Sequence, residues 1–191
     1  MKRISLVKEA HDLIRDNLHP GDIAIDATVG NGHDTVFLAE QVGASGRVYG
    51  FDIQQAAIDS TREKFRQAYT TECLTLIHAS HALMAEKIPA QYHGKISVIM
   101  FNLGYLPGGD KSVITQTDST LTALAIASRI LSPNGIITLL AYPGHQGGDQ
   151  ETDQVKIWCE QLNPDQFNVS TLYSTEHKDS APRLFVIRKI G

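Results

Sequence analysis

The 191-residue chain is 42% hydrophobic and 20% charged, with a formal net charge of −4 and a pI near 6.0. Such a chain has the size and balance of one soluble globular domain with a substantial core. Its acidity argues against broad, sequence-blind contact with phosphate backbones. No apolar run reaches membrane-spanning length, and the opening "MKRISLVKEAHDLI" lacks the uninterrupted apolar core of a secretory signal. Cys73 and Cys159 lie far apart without metal-ligand spacing, so ordinary thiols in a reducing cytoplasm are expected, and no metal.

In chain order, Leu6 to Leu18 has helical periodicity, with Leu6, Ala10, Leu13, Ile14 and Leu18 near one face. "GDIAIDATV" then predicts a buried strand, "HDTVFLAEQV" a helix and "GRVYGFDI" a second strand. "QQAAIDSTREKFRQAY" predicts a helix, "LTLIHA" an extended run, "SHALMAEKI" a short helix and "ISVIMFNL" an apolar strand. Beyond a glycine-rich loop, "TDSTLTALAIASRIL" is helical and "SPNG" turns the chain into the strand "IITLLAY". A helix around "QVKIWCEQL" leads to "FNVSTLYS" and "RLFVIRKI", two extended runs with no helix pattern between them. Helical segments between apolar strands imply right-handed βαβ units and a mainly parallel sheet covered on both faces. The last two runs should pair antiparallel.

The stretch "DATVGNGHDT", Asp26 to Thr35, falls at the first strand-to-helix turn, where open α/β sheets bind ligands. Gly30 and Gly32 lack a Cβ, which permits a sharp turn and a close ligand approach. Asp52 ends the second strand about twenty residues after Gly32, the place from which a carboxylate accepts ribose hydroxyls. A nucleoside-containing cofactor is therefore expected. A pyrophosphate prefers a helix N-terminus free of carboxylates. This loop is bracketed by Asp26 and Asp34 with Asn31 and His33 between, and Thr35 stands where a dinucleotide pattern wants a third glycine. These residues suit a ligand carrying an ammonium and count against a nicotinamide oxidoreductase. A tight turn with no ligand is the plainer alternative.

The D-x-x-x-G-x-G loop, the acid ending the second strand and the terminal hairpin together resemble a class I S-adenosylmethionine-dependent methyltransferase. The resemblance implies a Rossmann-like α/β fold, a seven-stranded mostly parallel sheet with an antiparallel C-terminal strand and helices on both faces. It places Asp26, Gly30, Asn31 and Gly32 around the methionine moiety, with His33 and Asp34 completing the loop. Asp52 would bind ribose, Ile53 and Gln54 flank the adenosine, and Ala79, Ser80 and His81 approach the adenine. Ser80 is also a good helix N-cap.

The fourth strand ends in "FNLGYLPGGDKSVIT". Asn102 followed by Tyr105 resembles the N-P-P-Y motif of methyltransferases that modify amino nitrogens, with Leu103 and Gly104 in place of the prolines. The resemblance implies that Asn102 and the next carbonyl hold the target N–H groups while Tyr105 stacks on the target. Pro107 and Lys111 then belong to a substrate loop, Lys111 contacting phosphate or pointing into solvent. An aliphatic amine must lose a proton before it attacks a methyl group. His145 in "YPGHQGG" is the candidate acceptor and Tyr105 the second; His145 is equally readable as a residue shaping the substrate mouth.

Together, "DATVGNGHDT", "FNLGYLPGGDKSVIT", "YPGHQGG" and "APRLFVIRK" resemble the small bacterial family labelled rRNA methylases. Its better-described members, the MnmM/YtqB group, are tRNA wobble-uridine methyltransferases. The resemblance spans nearly the whole chain and implies methylation of the aminomethyl nitrogen of 5-aminomethyl-2-thiouridine in a tRNA anticodon loop. Other rRNA or small-molecule N-methylation on the same cofactor is the alternative. Two groups of cations, Lys2, Arg3, Lys8 and Arg15 near one end and Lys178, Arg183, Arg188 and Lys189 near the other, are solvated surface charges or a local RNA patch. A homodimer would bring two basic edges together around the RNA.

Overall fold

A computed structural model describes residues 5–68, 73–104, 115–144, 147–174 and 181–191. The strands are β1 Ile23–Asp26, β2 Arg47–Asp52, β3 Leu74–His78, β4 Ile96–Asn102, β5 Leu131–Ala141, β6 Phe167–Tyr173 and β7 Arg183–Lys189. Between them run the helices α1 Leu6–Arg15, α2 His33–Val42, α3 Gln55–Ala68, α4 Met84–Lys87, α5 Thr117–Ile130 and α6 Gly148–Glu160. The strands form one seven-stranded sheet in the order β3-β2-β1-β4-β5-β7-β6. All pairs are parallel except those made by β7, which runs antiparallel between β5 and β6. The architecture is the one expected from the alternation of patterns.

Both faces of the sheet are covered. On one, Ala24, Val48, Val98, Met100, Ile136 and Leu140 pack with Leu6, Ala10 and Ile14 of α1, Phe37 and Leu38 of α2, and Phe65 of α3. On the other, Ile25, Phe51, Ile99, Phe101, Ile137 and Leu139 meet Met84, Leu124 of α5 and Val155 of α6. Alternation along a strand assigns the faces. In β4, Val98 and Met100 face α1 and α2, so Asn102, next in that phase, faces them too.

Two boundaries differ from expectation. The α1 helix stops at Arg15 rather than Leu18, although Leu18 stays 3% exposed because the chain turns there and its N–H still reaches the Ile14 carbonyl. "SPNG" is not a turn ahead of the strand. Leu131 already pairs with Ile96, the four residues bulge out through Asn134 (φ 62°), and pairing resumes at Val98 and Ile136.

Register builds the feature on which the site depends. Asp26 lies opposite Gly50 on one side and Met100 on the other. Strands β2 and β4 therefore run two residues past β1, to Asp52 and Asn102, and leave a notch over its carboxyl end. The order of strands also reverses at β1, which is where such sheets open a ligand crevice.

Gly32 closes the turn at the α2 N-terminus with φ 77°. A Cβ there would sit 2.5 Å from Thr61 Oγ1 and 2.7 Å from Thr61 Cγ2 on α3. Strain and overlap together make Gly32→Ala cost about 2 kcal/mol or more. Thr61→Ala removes those two atoms, so thermal melting of the double variant should recover part of the loss; a fully additive loss would contradict a steric origin.

Candidate active site

The loop from Ala27 to Gly32 fills the notch and is fastened to both overhanging strands. Ala27 N–H donates to the Met100 carbonyl at 2.8 Å and Val29 N–H to the Phe51 carbonyl at 2.9 Å. Thr28 Oγ1 accepts the Asn102 N–H at 2.7 Å. From β2, Asp52 Oδ2 accepts the Gly30 N–H and Oδ1 the Gln54 N–H, both at 2.8 Å. Gly30 holds φ 51°, a conformation that favours glycine. A single carboxylate thus ties the loop after β1 to the loop after β2, and each oxygen keeps capacity for a further donor.

Above this clamp opens a cleft of about 550 Å³. Gly30, Asn31, His33, Asp34, Asp52, Ile53, Gln54, Ser80, His81, Asn102, Leu103 and Gly104, all named from sequence, line it. Ile53 is 53% exposed and presents an apolar face at its rim. Ser80 caps the short 3-10 turn His81–Leu83 by accepting the Ala82 N–H at 3.2 Å, so the capping and the cleft-lining roles coexist. Tyr105, Pro107, Lys111 and His145 lie outside the described residues.

Asp26 and Gly32 do not line the cleft. Gly32 is pressed against Thr61, as described above. Asp26 is 1% exposed behind the loop, accepting the Thr28 N–H at 3.0 Å and the Thr35 hydroxyl at 2.5 Å. Burial, then the nearby Asp34 charge, push its carboxyl up to about 7 against the Thr35 and Thr28 hydrogen bonds, with Asp52 adding a smaller push. Asp26 thus braces the loop from inside through Thr28 and Thr35.

Five residues near the cleft carry no sequence signal that singles them out. Thr28 joins the loop to β4. Tyr142, one residue beyond β5, lines the cleft, and burial followed by the Asp34 charge raises its phenol above the ordinary range. His11 of α1 places Nε2 2.7 Å from Asp34 Oδ1, with its ring stacked on Phe37 at 3.9 Å. Thr115 and Glu151 are bonded to each other, and Thr115 to Gly104. Gly104 N–H donates to Thr115 Oγ1 at 3.0 Å and the Gly104 carbonyl accepts the Thr115 N–H at 3.0 Å. Glu151, 3% exposed, accepts the Thr115 and Thr120 hydroxyls, both at 2.7 Å.

His81 Nδ1 lies 3.1 Å from the Ala27 carbonyl, and its ring packs edge-on against Phe101. Burial holds its pKa below the ordinary value. The neutral ring therefore donates from Nδ1 and carries an acceptor at Nε2, which has no hydrogen-bond partner among the described residues.

Several of the cations considered for an RNA patch serve the fold. Arg188 donates to Asn17 Oδ1 at 2.9 Å, and Lys189 to the Ser128 and Leu131 carbonyls at 3.1 and 2.9 Å. Lys8 and Arg15 both pair with Asp12, and Arg183 lies 3.6 Å from Asp153. Lys2, Arg3 and Lys178 lie outside the described residues. Among those described, no group of three His, Cys, Asp or Glu side chains could hold a metal, and no helix is long and apolar enough to cross a membrane.

The sheet order, the notch and the acid-clamped glycine loop define a Rossmann-like methyltransferase fold. Residues 48–188 match the family described as "Putative rRNA methylase", and the chain belongs to that family. A chloroplastic tRNA (mnm(5)s(2)U34)-methyltransferase from Arabidopsis thaliana is 43% identical over 157 residues, 78% of this chain and 57% of the relative. The chain thus spans somewhat over half the length of that curated relative. A putative rRNA-methylase from Clostridium thermocellum superposes with a TM-score of 0.92 at 36% identity, covering 100% of both chains. A putative methyltransferase from Streptococcus mutans, solved in complex with SAH, gives 0.87 at 34%, covering 98% of this chain and 99% of that one.

The Asp26 geometry has a pH signature. The unfolded carboxyl titrates near 3.8 and the folded one near 7, so between those values the folded state binds more protons. Stability from this group is then lost as pH rises through that window. Asp26→Asn removes the titration. The melting temperature of the variant minus that of the native protein should grow from pH 5 to pH 8, and a pH-independent difference would contradict the buried carboxyl.

Proposed function

We propose that the protein transfers a methyl group from S-adenosylmethionine to the aminomethyl nitrogen of 5-aminomethyl-2-thiouridine at the tRNA wobble position. The observation that carries this reading is the pairing of two side chains across the notch. Asp52 stands at the end of β2 and Asn102 at the end of β4, with β1 between them, so an adenosyl group on the first leaves its reactive end beside the second. The 43% identity to a tRNA wobble methyltransferase and the SAH-bound structural relative support the same reading.

The cleft residues fit the cofactor. Asp52 keeps acceptor capacity for ribose hydroxyls after satisfying Gly30 and Gln54, Ile53 covers the adenosine, and Ser80 and His81 stand where the adenine ring would lie. Gly30 and Asn31 let the methionine end approach the main chain, and Asp34 supplies negative charge for its ammonium. When bound, the donor offers an electrophilic methyl group on a sulfonium.

The protein's own task is mostly positioning, which can contribute on the order of 7 kcal/mol or more to a reaction between two held groups. Asn102 donates Nδ2–H to Asp34 Oδ2 at 3.4 Å, so its amide oxygen is the acceptor left for a target N–H. The Leu103 carbonyl supplies the second acceptor, and we assign Gly104, Tyr105, Pro107 and Lys111 to substrate binding as the sequence resemblance implies. The amine is mostly protonated at neutral pH and sheds one proton before its lone pair attacks. We assign that proton to His145, with Tyr105 second. An anticodon loop presents unstacked bases suited to an aromatic such as Tyr105. A homodimer would gather positive surface for the RNA, and the cytoplasm, where buried Cys73 and Cys159 stay reduced, is the compartment that fits.

Two substitutions separate the roles. Asp52→Ala should weaken cofactor binding about tenfold or more, the scale of a lost charge-assisted hydrogen-bond pair, and an unchanged dissociation constant would remove Asp52 from the ribose site. Asn102→Ala should keep cofactor affinity and lose most turnover; full turnover would take Asn102 out of the reaction. The function itself is tested by incubating the enzyme and S-adenosylmethionine with RNA from a strain lacking the gene. Nucleoside mass spectrometry should show a one-methyl gain on the wobble 5-aminomethyl-2-thiouridine, whereas methylation confined to rRNA would overturn the tRNA assignment.

A further inference from the structure

The first helix contributes to the site without lining it. Strand alternation turns Asn102 toward the face covered by α1 and α2, and Asp34 in the first turn of α2 reaches it from that side. Asp34 is 8% exposed and uses its two oxygens for two different partners. Oδ1 faces His11 Nε2 at 2.7 Å, and Oδ2 faces Asn102 Nδ2 at 3.4 Å. His11 itself is fixed by parallel stacking on Phe37, with centroids 3.9 Å apart and planes 6° from parallel. Side-chain exposures of 18% for His11 and 10% for Asp34 leave little water to substitute for this contact.

We propose that His11 is a positioning residue for the transfer, acting through Asp34 on the amide of Asn102. The proposal rests on the function given above. An asparagine amide has two ends of similar size and opposite hydrogen-bonding character. A rotated Asn102 would turn its N–H₂ toward the target amine, where it would oppose the N–H donors or occupy the very lone pair that must attack the methyl group. The Asp34 carboxylate accepts only, so it holds the nitrogen end and leaves the oxygen for the substrate. The His11 N–H, in turn, pins the carboxylate: it occupies Oδ1 and keeps Oδ2 directed at Asn102. The chain His11, Asp34, Asn102 thus converts the docking of α1 into the choice of which end of an amide meets the substrate.

Two variants separate the hydrogen bond from the packing. His11→Phe keeps an aromatic ring on Phe37 and deletes the donor, whereas His11→Gln keeps an N–H donor and deletes the ring. With S-adenosylmethionine and tRNA carrying the aminomethyl uridine, His11→Phe should lower kcat about tenfold, a modest share of the range seen when a charge-assisted hydrogen bond is lost. KM for tRNA and the cofactor dissociation constant should stay within about twofold of the native values. His11→Gln should recover most of kcat. An independent readout needs no turnover: the Asn102 side-chain amide resonances in a ¹⁵N spectrum should shift or broaden in His11→Phe and stay near native in His11→Gln.

Native kcat in His11→Phe, or unperturbed Asn102 resonances there, would overturn the proposal. So would equal losses in both variants while melting temperature and cofactor affinity remain native. If the native enzyme failed to methylate this tRNA, the functional reading would fall, and the Asn102 resonances would still decide whether His11 orders the amide.

Discussion

The Asp52 carboxylate is the joint on which the site depends. One oxygen holds the Gly30 N–H and the other the Gln54 N–H, so the loops after β1 and β2 share a single anchor. Buried or half-buried backbone N–H groups need a partner, and here a charged acceptor supplies it for both loops at once. The joint also leaves lone-pair capacity facing the cleft. Loosening this side chain would release the loop that shapes the cleft.

The notch that receives this joint comes from strand register. Asp26 stops level with Gly50 and Met100, and the neighbouring strands continue to Asp52 and Asn102. An acid and an amide are thereby presented across the same loop, with Thr28 bonded to the Asn102 main chain between them. The carboxylates of Asp34 and Asp52 along the cleft bias its electrostatics. They favour the positively charged amino-acid end of the proposed methyl donor and disfavour a pyrophosphate.

Much of this was legible in the sequence, for reasons that mark where legibility ends. Alternating apolar strands and helical periods gave the sheet and its crossover helices, because burial on both faces imposes those patterns. The G-x-G loop and Asp52 were readable because both sit at local turns. The contact of Gly32 with Thr61 was not readable, since a glycine required by another helix looks identical in sequence to one required by a ligand. The burial of Asp26 was unreadable likewise, because a short sequence pattern does not say which side of a loop a carboxylate faces. The His11–Asp34 contact and the Glu151 clamp on Thr115 join residues distant along the chain, and nothing in their local patterns announces them. "SPNG" read as a turn because its composition matches one, while the bulge it forms is decided by pairing with β4.

The acid-clamped glycine loop makes this cleft an S-adenosyl site and not a dinucleotide site. Equilibrium dialysis of the native protein against labelled S-adenosylmethionine, and separately against labelled NAD, measures this directly. Saturable binding of S-adenosylmethionine with none of NAD is the expected result. Binding of NAD without S-adenosylmethionine would make the cleft a dinucleotide site instead.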